Sequence, residues 1–417
     1  FGPPMMKARR NPYCNPINNG MKKMSCQRKS LDPVVLEKII SVLTLRIVSG
    51  LRSDGVKELR PFNLETAVNG DPNNPFFRRI DSSKSAGFGW RGNKNIHIPI
   101  VEEKDDCIVR EPTEELKDRM ANIIDGYLDG KIAGFVYSAN LKDEPRELSK
   151  IESGNTRLIY ASPIDALCAA RMFLGPFYVL MVMYGHTFCT AIGTDMHRDG
   201  GKIYRKLKNF SQLIMEGDYS KYDLQMPIDI GLAANTVIYN VLKEFGYNEE
   251  ALECVRGILS DSLFPFVEIL KDVFCLPGLQ PSGKYATAED NSLRGILLQL
   301  YAWYSHPVLR HLDFFDYVLP LVYGDDLLAS VKPEVSEFFN NVTYSADCWN
   351  KMGMVFTSTS KGDISEPFVD PDTMSFLKRK FKFHEAVGDY VAQLDMNSIL
   401  KTLAWNLPSD SVGPDEQ

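Results

Sequence analysis

The sequence predicts an α+β fold spread over two or three domains. Apolar runs joined by tight turns read as antiparallel hairpins, and stripes of apolar residues at helical spacing lie between them. At 417 residues the chain is also too long for one small core.

Composition narrows the class. Hydrophobic residues make up 44% and charged residues 24%, the balance of an ordinary soluble globular protein without a disorder signature. The eight cysteines are scattered, with no CxxC pair and no His/Cys cluster, which implies a reducing compartment and no structural zinc. A net charge of −7 speaks against a nucleic-acid partner, yet a basic channel can coexist with an acidic exterior. The opening FGPPMMKARR is followed by no apolar h-region, so no signal peptide is expected. Ala166 to Tyr184 has spanning length, but Arg171 and the Gly175-Pro176 break fall inside it, and a break at mid-bilayer would leave backbone groups unsatisfied. Two short buried helices and no membrane span are expected there.

Taken in order, residues 1–30 carry seven basic side chains (Lys7, Arg9, Arg10, Lys22, Lys23, Arg28, Lys29) and no acidic one. They suit either a solvated tail or a strip that binds a polyanion backbone. Asp32 as N-cap and Pro33 in the first turn then begin a helix that reaches Val48. Ser82 to Gly92, SSKSAGFGWRG, combines small residues that permit close backbone approach with Lys84, Phe88, Trp90 and Arg91, which suit a single nucleic-acid strand. A helix is expected from Glu111 to Tyr127. In Lys142 to Asp165, the bases Lys142, Arg146, Lys150 and Arg157 stand against Asp143, Glu144, Glu147 and Glu152. As an extended finger, alternation would put the bases on one face for a triphosphate; as a salt-bridged hairpin, the segment would be a solvated surface.

The strand Leu213 to Met215 delivers Asp218 at its end, and the turn beyond it places Asp223. Helices follow at Ile228 to Phe245 and Glu249 to Leu263, and a hairpin joins Pro265–Leu270 to Val273–Leu276. Gly278 to Gly295 reads as a mobile loop opening onto a helix that continues to about Ser305. There Ser282, Thr287 and Asn291 either bond a sugar or base edge or cap the helix. A helix from Pro333 to about Lys351 and a strand Gly353 to Ser358 lead to Lys361. Thr373 to Phe383, TMSFLKRKFKF, alternates aromatics with Lys378, Arg379, Lys380 and Lys382, the pattern of a hairpin that grips a nucleic-acid backbone. The stretch to Asn406 reads as helical and ends in a polar tail.

The chemistry centres on Asp313 to Val331, DFFDYVLPLVYGDDLLASV. Apolar runs Tyr317–Tyr323 and Leu327–Val331 flank Gly324-Asp325, and a two-residue loop with glycine first is what a type II′ turn requires. Asp325 and Asp326 are therefore expected at a hairpin tip, where a divalent cation would relieve their repulsion. Asp218 is the third carboxylate such a site needs.

In order and spacing, SKSAGFGW, KDEPRELSKIESGNTR, DYSKYD, QPSGKYATAEDNS, YGDD and SFLKRKF resemble motifs G, F, A, B, C and E of the RNA-dependent RNA polymerases of picornavirus-like positive-strand RNA viruses (Picornavirales). The match spans Ser82 to Phe383. YGDD alone is weakly specific, but DxxxxD, then PSGxxxTxxxNS, then YGDD is strongly so.

The resemblance implies a right-hand polymerase fold. Fingers with the basic finger motif would occupy 1–190. An RRM-like antiparallel palm with the catalytic motifs and some finger inserts would occupy 191–370, and a primer grip with a truncated helical thumb 371–417. It implies template-directed nucleotidyl transfer from NTP to an RNA 3′-hydroxyl, with Asp218, Asp325 and Asp326 holding two Mg²⁺ ions, Mn²⁺ being an alternative. Lys361 falls where the family places a lysine that protonates pyrophosphate. Lys142, Arg146, Lys150 and Arg157 would meet the triphosphate, and Asp223, Ser282, Thr287 and Asn291 the rest of the nucleotide. Lys84, Ser85, Lys378 and Arg379 would meet RNA. Implied partners are template and primer RNA, a protein primer and other viral replication proteins, at replication complexes in the host cytoplasm.

The ends depart from the family pattern: about thirty-five residues follow the grip motif, fewer than a full thumb, so a fragment of a polyprotein-derived enzyme is expected. Two rivals stand beside this reading. A reverse transcriptase also carries a YxDD hairpin, although Asp223, Ser282 and Asn291 suit a ribose 2′-hydroxyl. A non-polymerising RNA-binding palm fragment is the other.

Overall fold

A computed structural model describes residues 2–7, 15–24, 29–104, 107–359 and 362–403. At its centre is a four-stranded antiparallel sheet in the order Val318–Tyr323, Asp326–Val331, Leu213–Ser220, Val355–Thr357. Period-two burial explains the outer strand: Val318, Pro320 and Val322 point inward, and the residues between them are half-exposed. Asp326–Val331 lies between two neighbours, and Leu327 to Val331 are buried without interruption, as a strand covered on both faces should be.

Helices Ile228–Glu244 and Thr287–Tyr304 share the main hydrophobic core with this sheet, and Pro33–Ser53 packs against both. The Pro33 helix starts as the sequence predicts, with the Asp32 carboxylate accepting from the Val34 N–H at 2.9 Å. Helix Glu114–Leu128 and helix Glu249–Leu263 also lie where their apolar spacing put them. A second four-stranded sheet runs Leu158–Ala161, Val136–Leu141, Phe266–Ile269, Asp272–Cys275, so the distant 266–275 hairpin completes the sheet begun by 136–161. A three-stranded sheet of Ser375–Phe376, Arg379–His384 and Asp389–Leu394 closes the C-terminal part.

Several local expectations are corrected. The helix expected over 333–351 is broken: a 3₁₀ turn covers Pro333–Val335, a helix Asn341–Asp347 begins at a capping box formed by Asn340 and Thr343, and a π turn follows at Cys348–Met352. Asn340 supplies the interruption, because its side chain bonds the N–H groups of Val342 and Thr343 and so starts a new helix. The stretch read as helical towards Asn406 first forms the strand Asp389–Leu394, pairing with the basic hairpin, and only then the helix Met396–Leu403. Ile164–Phe173 and Gly175–Met183 are two largely buried helices bent by 64° at the break. Among the described residues no single helix is long and apolar enough to cross a membrane. Lys361 lies outside the described residues, as do Arg9, Arg10 and Arg28 of the N-terminal basic segment.

Candidate active site

The hairpin tip forms as its turn chemistry requires. Tyr323 pairs with Asp326, leaving Gly324 and Asp325 as the loop, and of the two only Gly324 has positive φ (62°), the type II′ pattern. Asp325 alone occupies the turn and is exposed. Asp326 is instead the first residue of the following strand, a refinement of the expected side-by-side pair. The ladder between that strand and Leu213–Ser220 ends at Leu327 opposite Gly217; one further step in this register faces Asp326 with Asp218. On its other side Asp218 pairs with Thr357.

Among the described residues no three His, Cys, Asp or Glu side chains converge tightly enough to grip a metal ion on their own. Like charges keep carboxylates apart until a cation offsets their repulsion. The donor set still suits a hard divalent cation, because it is made of carboxylate oxygens on adjoining strand ends.

Asp325 and Asp326 line a cleft of about 780 Å³. Ser282, Thr287 and Asn291 line the same cleft, as do Arg78, Arg79 and Leu377. Ser292, the last residue of the PSGxxxTxxxNS pattern but not assigned a role from the sequence, pins the tip to the helix behind it. Its buried hydroxyl accepts from the Gly324 N–H at 2.8 Å and donates to the Ala288 carbonyl at 2.7 Å. Arg78 and Arg79 were also missed by sequence reasoning; their only signal was a pair of adjacent cations in an otherwise ordinary segment.

Asp223 sits in the short helix Tyr222–Gln225, just past the Asp218 strand. Burial pushes its carboxyl above the usual range, an effect opposed by local backbone N–H groups and by nearby Arg157 and reinforced by Asp325. Asp223, Arg157 and Asp325 therefore share one electrostatic neighbourhood. The Tyr222 hydroxyl donates to the Asn291 carbonyl at 2.7 Å and so ties this turn to the Thr287–Tyr304 helix. The Asn291 Oδ1 is buried without a hydrogen-bond partner. Ser282 Oγ accepts from the Tyr160 N–H at 3.3 Å, which leaves its O–H to donate. The Thr287 hydroxyl is spent within its own loop, donating to Lys284 O at 2.8 Å and Pro281 O at 3.2 Å.

The basic finger is not an extended strand with segregated faces. Between Val136–Leu141 and Leu158–Ala161 it folds through the short helix Leu148–Glu152, and one acid lies among the bases. Glu144 meets Lys142 at 3.0 Å, Arg146 at 3.3 Å and Arg157 at 3.6 Å, while Lys150 pairs with Glu147 at 2.7 Å. Burial works against the Glu144 charge, but these cations outweigh it and hold its carboxyl below the usual range. Of the three cations around Glu144, Arg157 also acts on the Asp223 carboxyl.

Lys84 is exposed near Asp81, and the Ser85 carbonyl accepts from Lys94 Nζ at 2.6 Å. Leu377 and Lys378 form the two-residue tip of the basic hairpin, with φ of 53° and 57°, a left-handed pair that non-glycine residues adopt under strain. Lys378 is exposed, whereas Arg379 folds back, donating to the Ala392 carbonyl at 2.9 Å and meeting His197. Replacing Lys378 and Arg379 together by Ala is expected to weaken RNA binding for all sequences alike. Its salt dependence should flatten by about one released counterion for each phosphate no longer neutralised. A filter-binding salt titration checks this, and weakening confined to particular sequences would mean base reading instead. Glu216, another residue not anticipated, secures the hairpin to the strand Leu213–Ser220: its buried carboxylate accepts from the Ser375 N–H and from the Thr359 hydroxyl.

A sequence model described as "Viral RNA-dependent RNA polymerase" matches residues 64–413. The replicase polyprotein of Drosophila C virus (strain EB) is 27% identical over 97% of this chain and 24% of its own length. The replication polyprotein of Nora virus is 25% identical over 90% of this chain and 18% of its own length. The genome polyprotein of Human parechovirus 2 (strain Williamson) is 24% identical over 78% of this chain and 14% of its own length. The chain thus spans about a quarter or less of the length of these relatives. In fold it is similar to the structure "Sicinivirus 3Dpol RNA dependent RNA polymerase", with a TM-score of 0.81 and 19% identity over 97% of this chain and 80% of that one.

Proposed function

Because the chain belongs to the viral RNA-dependent RNA polymerase family, we propose that it extends an RNA primer on an RNA template, moving a nucleotidyl group from an NTP to the primer 3′-hydroxyl to replicate a viral genome. The observation that carries this reading is the shared cleft, which Asp325 and Asp326 line together with Ser282, Asn291, Arg78 and Arg79. Acid for a metal, cations for phosphate and polar groups for a sugar meet in one place. Fingers at 1–190, palm at 191–370 and primer grip with partial thumb at 371–417 are the division we assign on this basis.

Asp218, Asp325 and Asp326 would hold the two Mg²⁺ ions, or Mn²⁺, whose chemistry is to make the 3′-hydroxyl a better nucleophile and to offset charge on the leaving pyrophosphate. The chain's own side chains do the rest by positioning. Arg157, with Lys142, Arg146 and Lys150, draws the triphosphate towards Asp223. Asn291 and Ser282 meet the ribose. Lys378 holds the primer backbone, Lys84 and Ser85 the template, and Lys361 is assigned the proton delivered to pyrophosphate on the family likeness. Other replication proteins as partners are a further proposal, in keeping with the viral polyproteins among its relatives; a protein primer and a site at cytoplasmic replication complexes are proposed on the family resemblance alone. Reverse transcription and a purely RNA-binding role are less favoured by a family match that covers the whole catalytic region.

A primer-extension assay on one RNA template tests the reading. Ribonucleotide incorporation that depends on a divalent cation is expected. A folded protein that binds RNA but extends no primer would overturn it.

A further inference from the structure

The loop that carries Ser282 is fastened from beneath by a buried charged network. Lys284 Nζ donates to Asp290 Oδ2 at 2.7 Å, to Gln280 Oε1 at 2.9 Å and to Ser262 Oγ, on the Glu249–Leu263 helix, at 2.8 Å. Arg294 reaches the same Asp290 oxygen at 3.1 Å, and Gln280 Nε2 donates to it as well. Gln280, Asp290 and Arg294 are fully buried, and the Lys284 side chain is 10% exposed. Burial works against the Asp290 charge, yet Arg294 and Lys284 keep its carboxyl well below the usual range. Such a cluster is an expensive way to hold a loop, since well-packed apolar residues would serve stability as well or better.

Its members adjoin the residues assigned to the sugar. The Gln280 N–H donates to the Asp223 carbonyl at 3.3 Å. Lys284 lies two residues after Ser282, and Asp290 immediately precedes Asn291. The loop also sits flush on the finger strand, where a Cβ at Gly283 would fall 2.1 Å from the Tyr160 carbonyl oxygen. Ala286, at the start of the helix, is held at φ 55°. Strain of that kind persists only where the surroundings over-determine it.

We propose that the Gln280–Lys284–Asp290 network sets the spacing among Asp223, Ser282 and Asn291, making Lys284 and Gln280 positioning residues for the choice of ribose over deoxyribose. This rests on the polymerase reading above. Asp290 and Arg294 remain a neutral pair when Lys284 is removed, so Lys284→Met should leave the core paired while freeing the loop.

The test is kcat/KM for ATP and dATP on one RNA template, with melting temperature, for Lys284→Met, Ser262→Ala and Asn291→Ala. Lys284→Met is expected to lower the ATP preference about tenfold, mainly by slowing ATP use, and Ser262→Ala to shift it less in the same direction. A merely structural role would slow both nucleotides alike and leave the ratio fixed. An unchanged ratio in folded Lys284→Met overturns the proposal; should that variant not fold, an unchanged ratio in Ser262→Ala does so. If Asn291→Ala shifts the ratio and the network variants do not, the network inference alone fails. If Asn291→Ala leaves it unchanged too, the sugar pocket itself fails, and absence of wild-type incorporation would sink the polymerase reading.

Discussion

Asp325→Asn and Asp218→Asn are each expected to cut nucleotide incorporation by about a thousandfold or more, the scale of losing a group that stabilises transition-state charge, without lowering the melting temperature. Asp325 is exposed on a turn whose conformation depends on Gly324, so the amide disturbs no packing. Removing one carboxylate also relieves repulsion among acids on adjoining strand ends. Activity and stability should therefore separate. Asp326 should matter less, because it begins a strand and cannot share the aim of its neighbour in the turn. Single-turnover incorporation measured alongside thermal melting decides the matter. Near-normal turnover in either Asn variant would remove the two-metal assignment.

Asp223→Ala or Asn291→Ala should lower the preference for ribonucleotides over deoxynucleotides by roughly ten- to a hundredfold, chiefly by slowing ribonucleotide use. The geometry supplies a specific reason. Among the described residues no hydrogen bond joins Asp223 to Asn291; the two are linked instead through Tyr222 and the Asn291 backbone. The Asn291 Oδ1 is left buried without a donor, and the free O–H of Ser282 offers the opposite polarity. A 2′-hydroxyl can satisfy both, giving its proton to Asn291 and accepting one from Ser282. A deoxynucleotide leaves them unpaired, at about 1–3 kcal/mol per buried group. The ratio of kcat/KM for ATP and dATP is the measurement. An unchanged ratio in both variants would refute the pocket, and a wild-type preference for dATP would overturn the polymerase assignment.

What the sequence revealed depended on how local the cause was. The Gly324 turn, the Asp32 cap and the helices at 228 and 249 arise from neighbours in the chain, and each formed within a few residues of its expected place. The break at Asn340 is also local, but its signal was a single capping side chain inside an apolar pattern that favoured continuation. The strand at 389–394 was illegible because it exists only by pairing with Arg379–His384. The same holds for the site. Clustered motifs pointed to Asp218, Asp325 and Asn291. Ser292 and the Lys284–Asp290 pair lie inside the quoted motif, and Arg294 is four residues past Asp290. But the bond from Gly324 to Ser292 spans 32 residues, that from Ser375 to Glu216 spans 159, and the burial that makes the charges a network has no signature in spacing.

The left-handed tip Leu377-Lys378 sets heat resistance against the primer contact proposed for Lys378. Leu377→Asn with Lys378→Gly would supply residues that accept positive φ, a gain of about 1 kcal/mol at each position from which the lost packing of the half-buried Leu377 side chain against the Phe376–Phe381 cluster is subtracted. It would also withdraw an apolar side chain from the cleft lining and the cation proposed to hold the primer. Variants selected only for survival on heating would drift towards the relaxed tip, and variants selected for long products would keep the strained one. Melting temperature and primer dissociation rate, measured together on the double variant, show whether that competition exists; a stabilised enzyme that releases primer no faster would mean the strain serves no purpose in the cleft.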